Sequence, residues 1–272
     1  MTKEDREKMR DFYDALGAEE WDRFDTDIPG EVNLEIHQRF LARFVKAGDR
    51  VLEIGAGPGR FTKQLIALDT KVIVTDISQI QLELNKENFS NSRNIESWEL
   101  LDICDTSKFS DGEFDIVMAY GGPLSYAFDE AKDALNDLFR ILKPHGTVIG
   151  SVMSTLGTWR YFLKGALAIG QAKGEETNNA ILQTGDLRLN ETDHICQMYK
   201  SSDLEALIKS CRARVLAMSA SNWASMNSRE VLEPLSGNPE SWEHFLRNEV
   251  WACEQPGALD GGTHILFAAQ KG

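Results

Sequence analysis

Residues 51–65 read VLEIGAGPGRFTKQL, an apolar run that breaks into three alternating glycines and then resumes with helical spacing. In an open parallel sheet, ligands bind beyond the carboxyl ends of the strands, usually where the first strand turns into its helix. Gly55, Gly57 and Gly59 sit at such a turn. A dinucleotide fingerprint needs its third glycine three positions after the second, and Arg60 occupies that place. Pro58 removes a backbone N–H that a pyrophosphate would use, and Glu53 brings a carboxylate towards the same turn. Both features suit a cationic ligand better, so a NAD-dependent oxidoreductase loses its main support.

Outward from this stretch, β-rich apolar runs alternate with amphipathic ones from about residue 50 to about residue 154. The strand candidates are RVLEIGA, KVIVTDI, ESWELLDI, FDIVMAY and GTVIGSVM, with GRFTKQLIAL, SQIQLELNKENF and DEAKDALNDLFRIL as helices between them. The alternation predicts a parallel sheet flanked by helices. In RILKPHG, Pro144 cannot continue the helix and Gly146 is expected to supply the turn into the next strand.

Residues 155–200 break the rhythm with helical stretches and polar turns and read as an insertion. The alternation returns with SDLEALIKSC and ARVLAMSAS, followed by a second irregular stretch over 222–262 that contains the helix SWEHFLRNEVWACEQ, and by the strand THILFAAQ. Four parts follow: an N-terminal helical cap over 1–40, a core over 41–154, a helical lid over 155–200 and the rest of the core sheet over 201–272. No internal repeat or low-complexity segment is present.

LEIGAGPGR resembles the E/D-x-G-x-G-x-G motif of class I S-adenosylmethionine-dependent methyltransferases. The overall pattern is similar to the small-molecule members related to those of quinone biosynthesis, over residues 40–155 and more loosely to the C-terminus. The resemblance implies an α/β, Rossmann-like seven-stranded sheet, mostly parallel with THILFAAQ antiparallel, helices on both faces and a helical lid. It implies S-adenosylmethionine as cofactor, S-adenosylhomocysteine as product, and cofactor contacts from Glu53, Gly55, Ala56, Gly57 and Gly59. Asp76 matches the acid that binds the ribose hydroxyls, followed by Ile77. Asp102 matches the acid at the adenine amino group, with Ile103 supplying its N–H, and Tyr120 falls where the chain passes the methionine moiety. FYDALGAEEWDRF resembles the N-terminal helix that closes over the cofactor, which makes Tyr13 and Arg23 the residues near the methionine carboxylate; a guanidinium suits a carboxylate because it binds bidentately.

Each of these residues also has a plainer reading. The glycines allow tight helix–strand packing, Asp76 caps the helix that starts at Ser78, and Asp102 closes a turn. Their joint occurrence at consecutive strand ends favours the ligand reading.

Methyl transfer from a sulfonium is an in-line displacement on an activated electrophile, so alignment and exclusion of water are the main tasks and no metal is required. A hydroxyl or thiol acceptor gains from a base. Among His37, His145, His194, His244 and His264, His194 lies where the insertion rejoins the core and is the candidate base; a partly buried, hydrogen-bonded histidine is the competing reading, and His264 reads as structural. Trp159, Trp223, Trp242 and Trp251, with Tyr161, Phe162, Tyr199 and Phe245, concentrate in residues 155–262 and are candidates for an aromatic pocket under the lid or for packing of the insertion onto the core.

The motif after the fourth strand reads GGPLSY, not the N/D-P-P-Y/F of adenine and glutamine-amide methyltransferases, and neither Cys104 nor Cys196 has the Pro-Cys context of cytosine methylation. A formal net charge of -14 repels nucleic acid and anionic lipid. The four scattered cysteines form no C-x-x-C pair, and no window is long and apolar enough for a membrane span. The expectation is a cytoplasmic enzyme that methylates O, N or S of a small, apolar or aromatic metabolite, with no nucleic-acid or membrane partner and no metal. A macromolecule methyltransferase, for tRNA or protein, and a non-catalytic cofactor-binding module are the alternatives. The oligomeric state is not legible.

Overall fold

Seven strands form one sheet in the order β3-β2-β1-β4-β5-β7-β6 in a computed structural model that describes residues 2–190 and 194–272. Residues 191–193, which fall within the expected insertion 155–200, lie outside the described residues. The strands are β1 (Arg50–Ile54), β2 (Lys71–Asp76), β3 (Ile95–Leu100), β4 (Phe114–Ala119), β5 (Leu142–Met153), β6 (Arg214–Ala220) and β7 (His264–Gln270). β1 to β5 pair in parallel, whereas β7 lies antiparallel to both β5 and β6, as the resemblance implied.

The central strands are apolar at successive positions because each side of the sheet is covered, and side chains alternate between the two faces. Leu52, Val117 and Ala119 join one buried cluster with Leu135, Leu138 and Leu204; Val51, Ile116 and Met118 join the other with Ile36, Phe40 and Leu65. The first face is covered by α5 (Ala131–Ile141) and α9 (Ser201–Ser210), the second by α2 (Ile28–Ala42), α3 (Arg60–Ala67), α4 (Gln79–Phe89) and α11 (Pro239–Cys253). Each fully buried Leu, Ile or Val contributes ~1.5–3 kcal/mol of transfer free energy.

Three local expectations need correction. The helix in RILKPHG stops at Ile141, Pro144 lies within β5, and the left-handed residue is His145 (φ 64°) rather than Gly146. Gly146 is needed for close approach instead, since a Cβ there would lie 2.9 Å from the Leu142 side chain and 3.0 Å from the Asp115 carbonyl oxygen. The N-terminal segment is not one helix: α1 (Lys3–Leu16), started by a Thr2–Asp5 capping box, breaks at Gly17 (φ 50°) into a 3-10 helix over Gly17–Phe24. α2 crosses residue 40 and packs in the core through Val32, Ile36 and Phe40, so only α1 and the 3-10 helix lie over the carboxyl ends of the strands.

The 155–190 stretch folds into α6 (Thr155–Tyr161), α7 (Leu163–Lys173), α8 (Glu175–Thr184) and a 3-10 turn over Leu187–Asn190. The later irregular stretch contributes α10 (Arg229–Ser236) before α11. No helix among the described residues is long and apolar enough to cross a membrane.

A two-chambered candidate active site

The turn after β1 works through two glycines with different tasks. Gly55 has φ 69°, and a Cβ there would meet Pro123 Cγ at 2.6 Å, so the residue admits the loop after β4. Gly57 has φ 54°, yet its Cβ position is open, with Glu20 Cγ at 3.8 Å and Gln81 Oε1 at 3.9 Å as the nearest atoms. Its backbone therefore needs glycine for conformation and leaves the space in front of the turn clear.

The structure keeps Gly59 and Glu53 off the cavity wall, unlike their expected place at the cofactor. Gly59 caps α3 in the left-handed region (φ 109°), and a Cβ there would strike the Phe89 ring at 2.3 Å, so this glycine serves helix packing. Glu53 points under the turn, where its Oε2 accepts from Thr62 Oγ1 (2.7 Å), which accepts from Asn85 Nδ2 (2.9 Å); Asn85 Oδ1 accepts from Trp98 Nε1 (3.0 Å). Burial raises the Glu53 carboxyl to about 8, with the Asp76 charge adding to the shift. At neutral pH it is protonated and offers no charge to a cation.

The other residues predicted at the cofactor meet at one cavity. Gly55, Ala56 and Gly57 enter after β1, Asp76 and Ile77 at the end of β2, Asp102 and Ile103 after β3, and Tyr120 after β4, while Tyr13 and Arg23 reach in from the N-terminal segment. Asp76 uses both oxygens: Oδ2 accepts the Gly57 N–H and Oδ1 the Ser78 N–H, each at 2.8 Å. The cap of α4 is Ser78 itself, whose hydroxyl accepts the Gln81 N–H at 3.1 Å. Burial raises Asp76 to about 6, and Glu20 adds to the effect against the backbone donors.

Asp102 accepts the Cys104 N–H at 2.9 Å, which is the turn-closing role, and its Oδ2 lies 2.8 Å from Arg6 Nε of α1. Arg23 pairs with Glu20 at 3.0 Å, and its guanidinium lies 3.6 Å from the position a Cβ would take on Gly121. The Tyr120 hydroxyl donates to the His37 carbonyl at 3.3 Å, so its polar end is tied to α2.

Glu20, Gln81, Arg6 and Tyr126 also line this cavity and were missed in the sequence. Gln81 Nε2 donates to the Tyr13 and Gly17 carbonyls at 2.9 Å each, which fastens the N-terminal segment, while its Oε1 is buried without a partner among the described residues. An orphaned acceptor beside an open glycine turn and a doubly held carboxylate fits a ligand rich in hydroxyl, amino and cationic groups. S-adenosylmethionine has all three.

A second cavity of about 800 Å³ adjoins the first and shares Tyr13, Glu20, Arg23 and Tyr126 with it. Its wall is largely apolar, formed by Met153 and Met198 from the core side and by Trp159, Phe162, Ala166 and Ile181 from the inserted helices. Of the aromatic residues expected to form a pocket, only Trp159 and Phe162 line it; Trp242 stacks on Phe245 at 5.4 Å, Tyr199 lies in the sheet core and Trp251 faces outward. Those rings pack the insertions or cover the surface.

Two histidines face this chamber. His194 Nε2 lies 3.1 Å from the Tyr126 hydroxyl, which lies 2.6 Å from that of Tyr13, so a hydrogen-bonded chain spans the junction of the cavities. Burial, helped by the Arg23 charge, lowers the His194 pKa, and burial raises Tyr126 well above the usual phenol value. His264, expected to be structural, lines the same chamber with Nε2 buried and unpartnered among the described residues, and burial holds it neutral.

Residues 51–146 match the family model described as a methyltransferase domain. The ubiquinone/menaquinone biosynthesis C-methyltransferase of Francisella philomiragia is 32% identical over 110 residues, 39% of this chain and 43% of that protein. The corresponding Pseudomonas fluorescens protein is 29% identical over 153 residues, 53% of this chain and 57% of that protein. The chain thus spans about half the length of the curated relatives it matches. Among solved structures, the methyltransferase in complex with the Haloferax volcanii Trm112 methyltransferase activator matches over 96% of each chain at 17% identity and a TM-score of 0.62. Haemonchus contortus phosphoethanolamine N-methyltransferase 2, solved with S-adenosylmethionine, covers 87% of this chain and 52% of that one at 18% identity and a TM-score of 0.55. At such identities these likenesses speak for the fold, while the domain match spans the glycine turn and the strand-end acids. The chain thus carries a methyltransferase domain over residues 51–146, in a fold it shares with solved methyltransferases.

Proposed function

We propose that this protein transfers the methyl group of S-adenosylmethionine to oxygen, nitrogen or sulfur of a small, apolar or aromatic molecule held in the second cavity. The observation that carries the reading is the adjacency of the two chambers, which share Tyr13, Glu20, Arg23 and Tyr126 at their junction. The cofactor supplies an already activated methyl group; this chain's residues bind, align, exclude water and manage one proton.

Asp76 accepts from the ribose hydroxyls and Asp102 from the adenine amino group, released from Arg6 for the purpose. Arg23 faces the methionine carboxylate, Glu20 the cationic end, and Gly57 leaves their approach open. Residues 155–190 act as the lid over the acceptor. His194, neutral because it is buried, takes the acceptor's hydroxyl proton with Tyr126 orienting its ring. A phenolic acceptor deprotonated in this way also becomes nucleophilic at its ring carbons, and the similarity to C-methyltransferases of quinone biosynthesis favours carbon as a second acceptor atom.

The test is calorimetry of the full chain with S-adenosylmethionine, S-adenosylhomocysteine and NAD, repeated on Asp76→Ala, followed by methyl-transfer assays with phenols, amines and thiols. Binding of the two adenosyl ligands, weakened by the substitution, and transfer to an apolar acceptor support the reading. Binding without transfer to any acceptor class would leave a cofactor-binding module, and binding of NAD alone would overturn it.

A further inference from the structure

The inserted helices carry an apolar surface that no other described residue covers. Leu156 and Trp159 on α6 and Leu163 and Leu167 on α7 recur at three- and four-residue spacing and are all exposed, as are Tyr161 and Phe162 at the bend between the helices. Phe162 is 58% and Leu167 50% exposed, values far from those of a packed core. α7 is held on α8: Gly170 is buried there, where a Cβ would lie 2.7 Å from Glu175 Oε1, and the Ala166 carbonyl accepts from Asn178 Nδ2 at 2.7 Å. Leu163 and Leu167 flank this contact and stay exposed beside it.

Charge singles out the same segment. Against a chain total of -14, residues 155–173 contain Arg160, Lys164 and Lys173 and no acidic residue. Aromatic and leucine side chains beside lysine and arginine on one short helical surface are the composition that settles at the interface of an anionic bilayer. The whole-chain charge, which argued against anionic lipid, averages this region away.

The surface is also continuous with the acceptor chamber. Trp159 and Phe162 line the cavity and are exposed at the same time, so they form its rim, with Ala166 and Ile169 behind them on the wall. The geometry points to a lipid bilayer as the occupant of the 156–167 surface, with the protein resting on an anionic membrane so that a bilayer-dissolved apolar acceptor enters the chamber past Trp159 and Phe162. The acceptor half of this statement rests on the proposed function; the docking half does not.

The test is flotation of the full chain with vesicles of phosphatidylcholine mixed with phosphatidylglycerol, against phosphatidylcholine alone, at low and high salt. The expected result is binding to the mixed vesicles that weakens in salt, and a loss of about tenfold or more in Leu163→Glu/Leu167→Glu. Both positions are exposed, and circular dichroism melting of the variant should match the parent. Failure of the parent chain to float, or undiminished flotation of the folded variant, overturns the proposal. A parent dimer that the double variant converts to monomer, without vesicle binding, overturns it in favour of a second copy on this face. Flotation needs neither cofactor nor turnover, so its outcome is separate from that of the calorimetry.

Discussion

The phenol oxygens of Tyr13 and Tyr126 stand 2.6 Å apart at the junction of the two cavities. Burial raises the pKa of both phenols, so each remains a hydroxyl at neutral pH and each needs a direction for its proton. Tyr126 also meets His194 Nε2, which orders the chain from the N-terminal segment through the loop after β4 to the inserted region. Three parts of the sequence far apart in number are thereby held at the place where methyl donor and acceptor meet in the proposed reaction.

Removing the end of this chain should slow transfer without weakening cofactor binding. His194→Gln is expected to lower kcat by ~10²–10⁴-fold with a hydroxyl acceptor, and Tyr126→Phe by a smaller factor through loss of ring orientation. The His194 pKa lies below the ordinary 6.5, so a base with this pKa is active throughout neutral pH, and the acidic fall of the rate belongs at lower pH than for an exposed histidine. That limb should vanish in His194→Gln. An unchanged pH–rate profile would remove His194 from the mechanism.

Asp76 is expected to make cofactor affinity pH-dependent. Its pKa of about 6 in the ligand-free protein means that the carboxylate, needed to accept ribose hydroxyls, is lost as pH falls through 6. Calorimetric affinity for S-adenosylhomocysteine should drop below that pH in the parent and stay flat in Asp76→Asn. At pH 8 the substitution should cost ~1.5–3 kcal/mol of binding, the usual loss for a hydrogen bond to a charged group.

Glu53 yields a stability prediction with the opposite emphasis. Its folded pKa of about 8 exceeds the ordinary 4.5, so between these values the folded state binds more protons than the unfolded one, and stability falls as pH rises through that window. Glu53→Gln keeps an oxygen for Thr62 and removes the titration. Its Tm should approach that of the parent near pH 5 and exceed it by an amount corresponding to a few kcal/mol at pH 9. A Tm difference independent of pH would contradict the assignment.

The two glycines of the turn should respond differently to alanine. At Gly55 a Cβ meets Pro123 Cγ at 2.6 Å in addition to the positive φ, whereas at Gly57 only the backbone conformation is strained. Gly55→Ala is expected to cost ~2–4 kcal/mol of folding stability and Gly57→Ala ~1–2 kcal/mol. Denaturant melts of the two variants check the order.

The sheet was legible because β1, β2 and β4 are buried on both faces, so strands such as FDIVMA read as continuous apolar runs bounded by turn residues. Asp76 and Asp102 were legible as site candidates because a parallel sheet sends the end of every strand to the same edge, and spacing along the chain marks those ends. Glu20, Gln81 and Tyr126 carry no such mark. They reach the cavity through contacts between the 3-10 helix over 17–24, the first turn of α4 and the loop after β4, which no local periodicity encodes. Gly59 misled for the converse reason: it shares the motif of Gly55 and Gly57, but its Cβ position is filled by Phe89 of a helix some thirty residues later. α10 escaped because it is short and carries Pro234 inside.

His264 offers a test in which stability and function should move in opposite directions. Its Nε2 is buried at the wall of the second chamber without a partner among the described residues, and a buried polar atom left in that state costs ~1–3 kcal/mol. A fold under no other demand would place an apolar residue there, as neighbouring Ile265 and Leu266 do in the core. The imidazole is neutral, so it suits a hydroxyl or carbonyl of an uncharged acceptor rather than an ion. His264→Leu should therefore leave the Tm unchanged or raise it, keep the affinity for S-adenosylhomocysteine, and raise the acceptor KM about tenfold or more, the equivalent of one lost hydrogen bond. If instead the variant melts early with an unaltered KM, His264 is a packing residue and the polar group of the acceptor is held elsewhere.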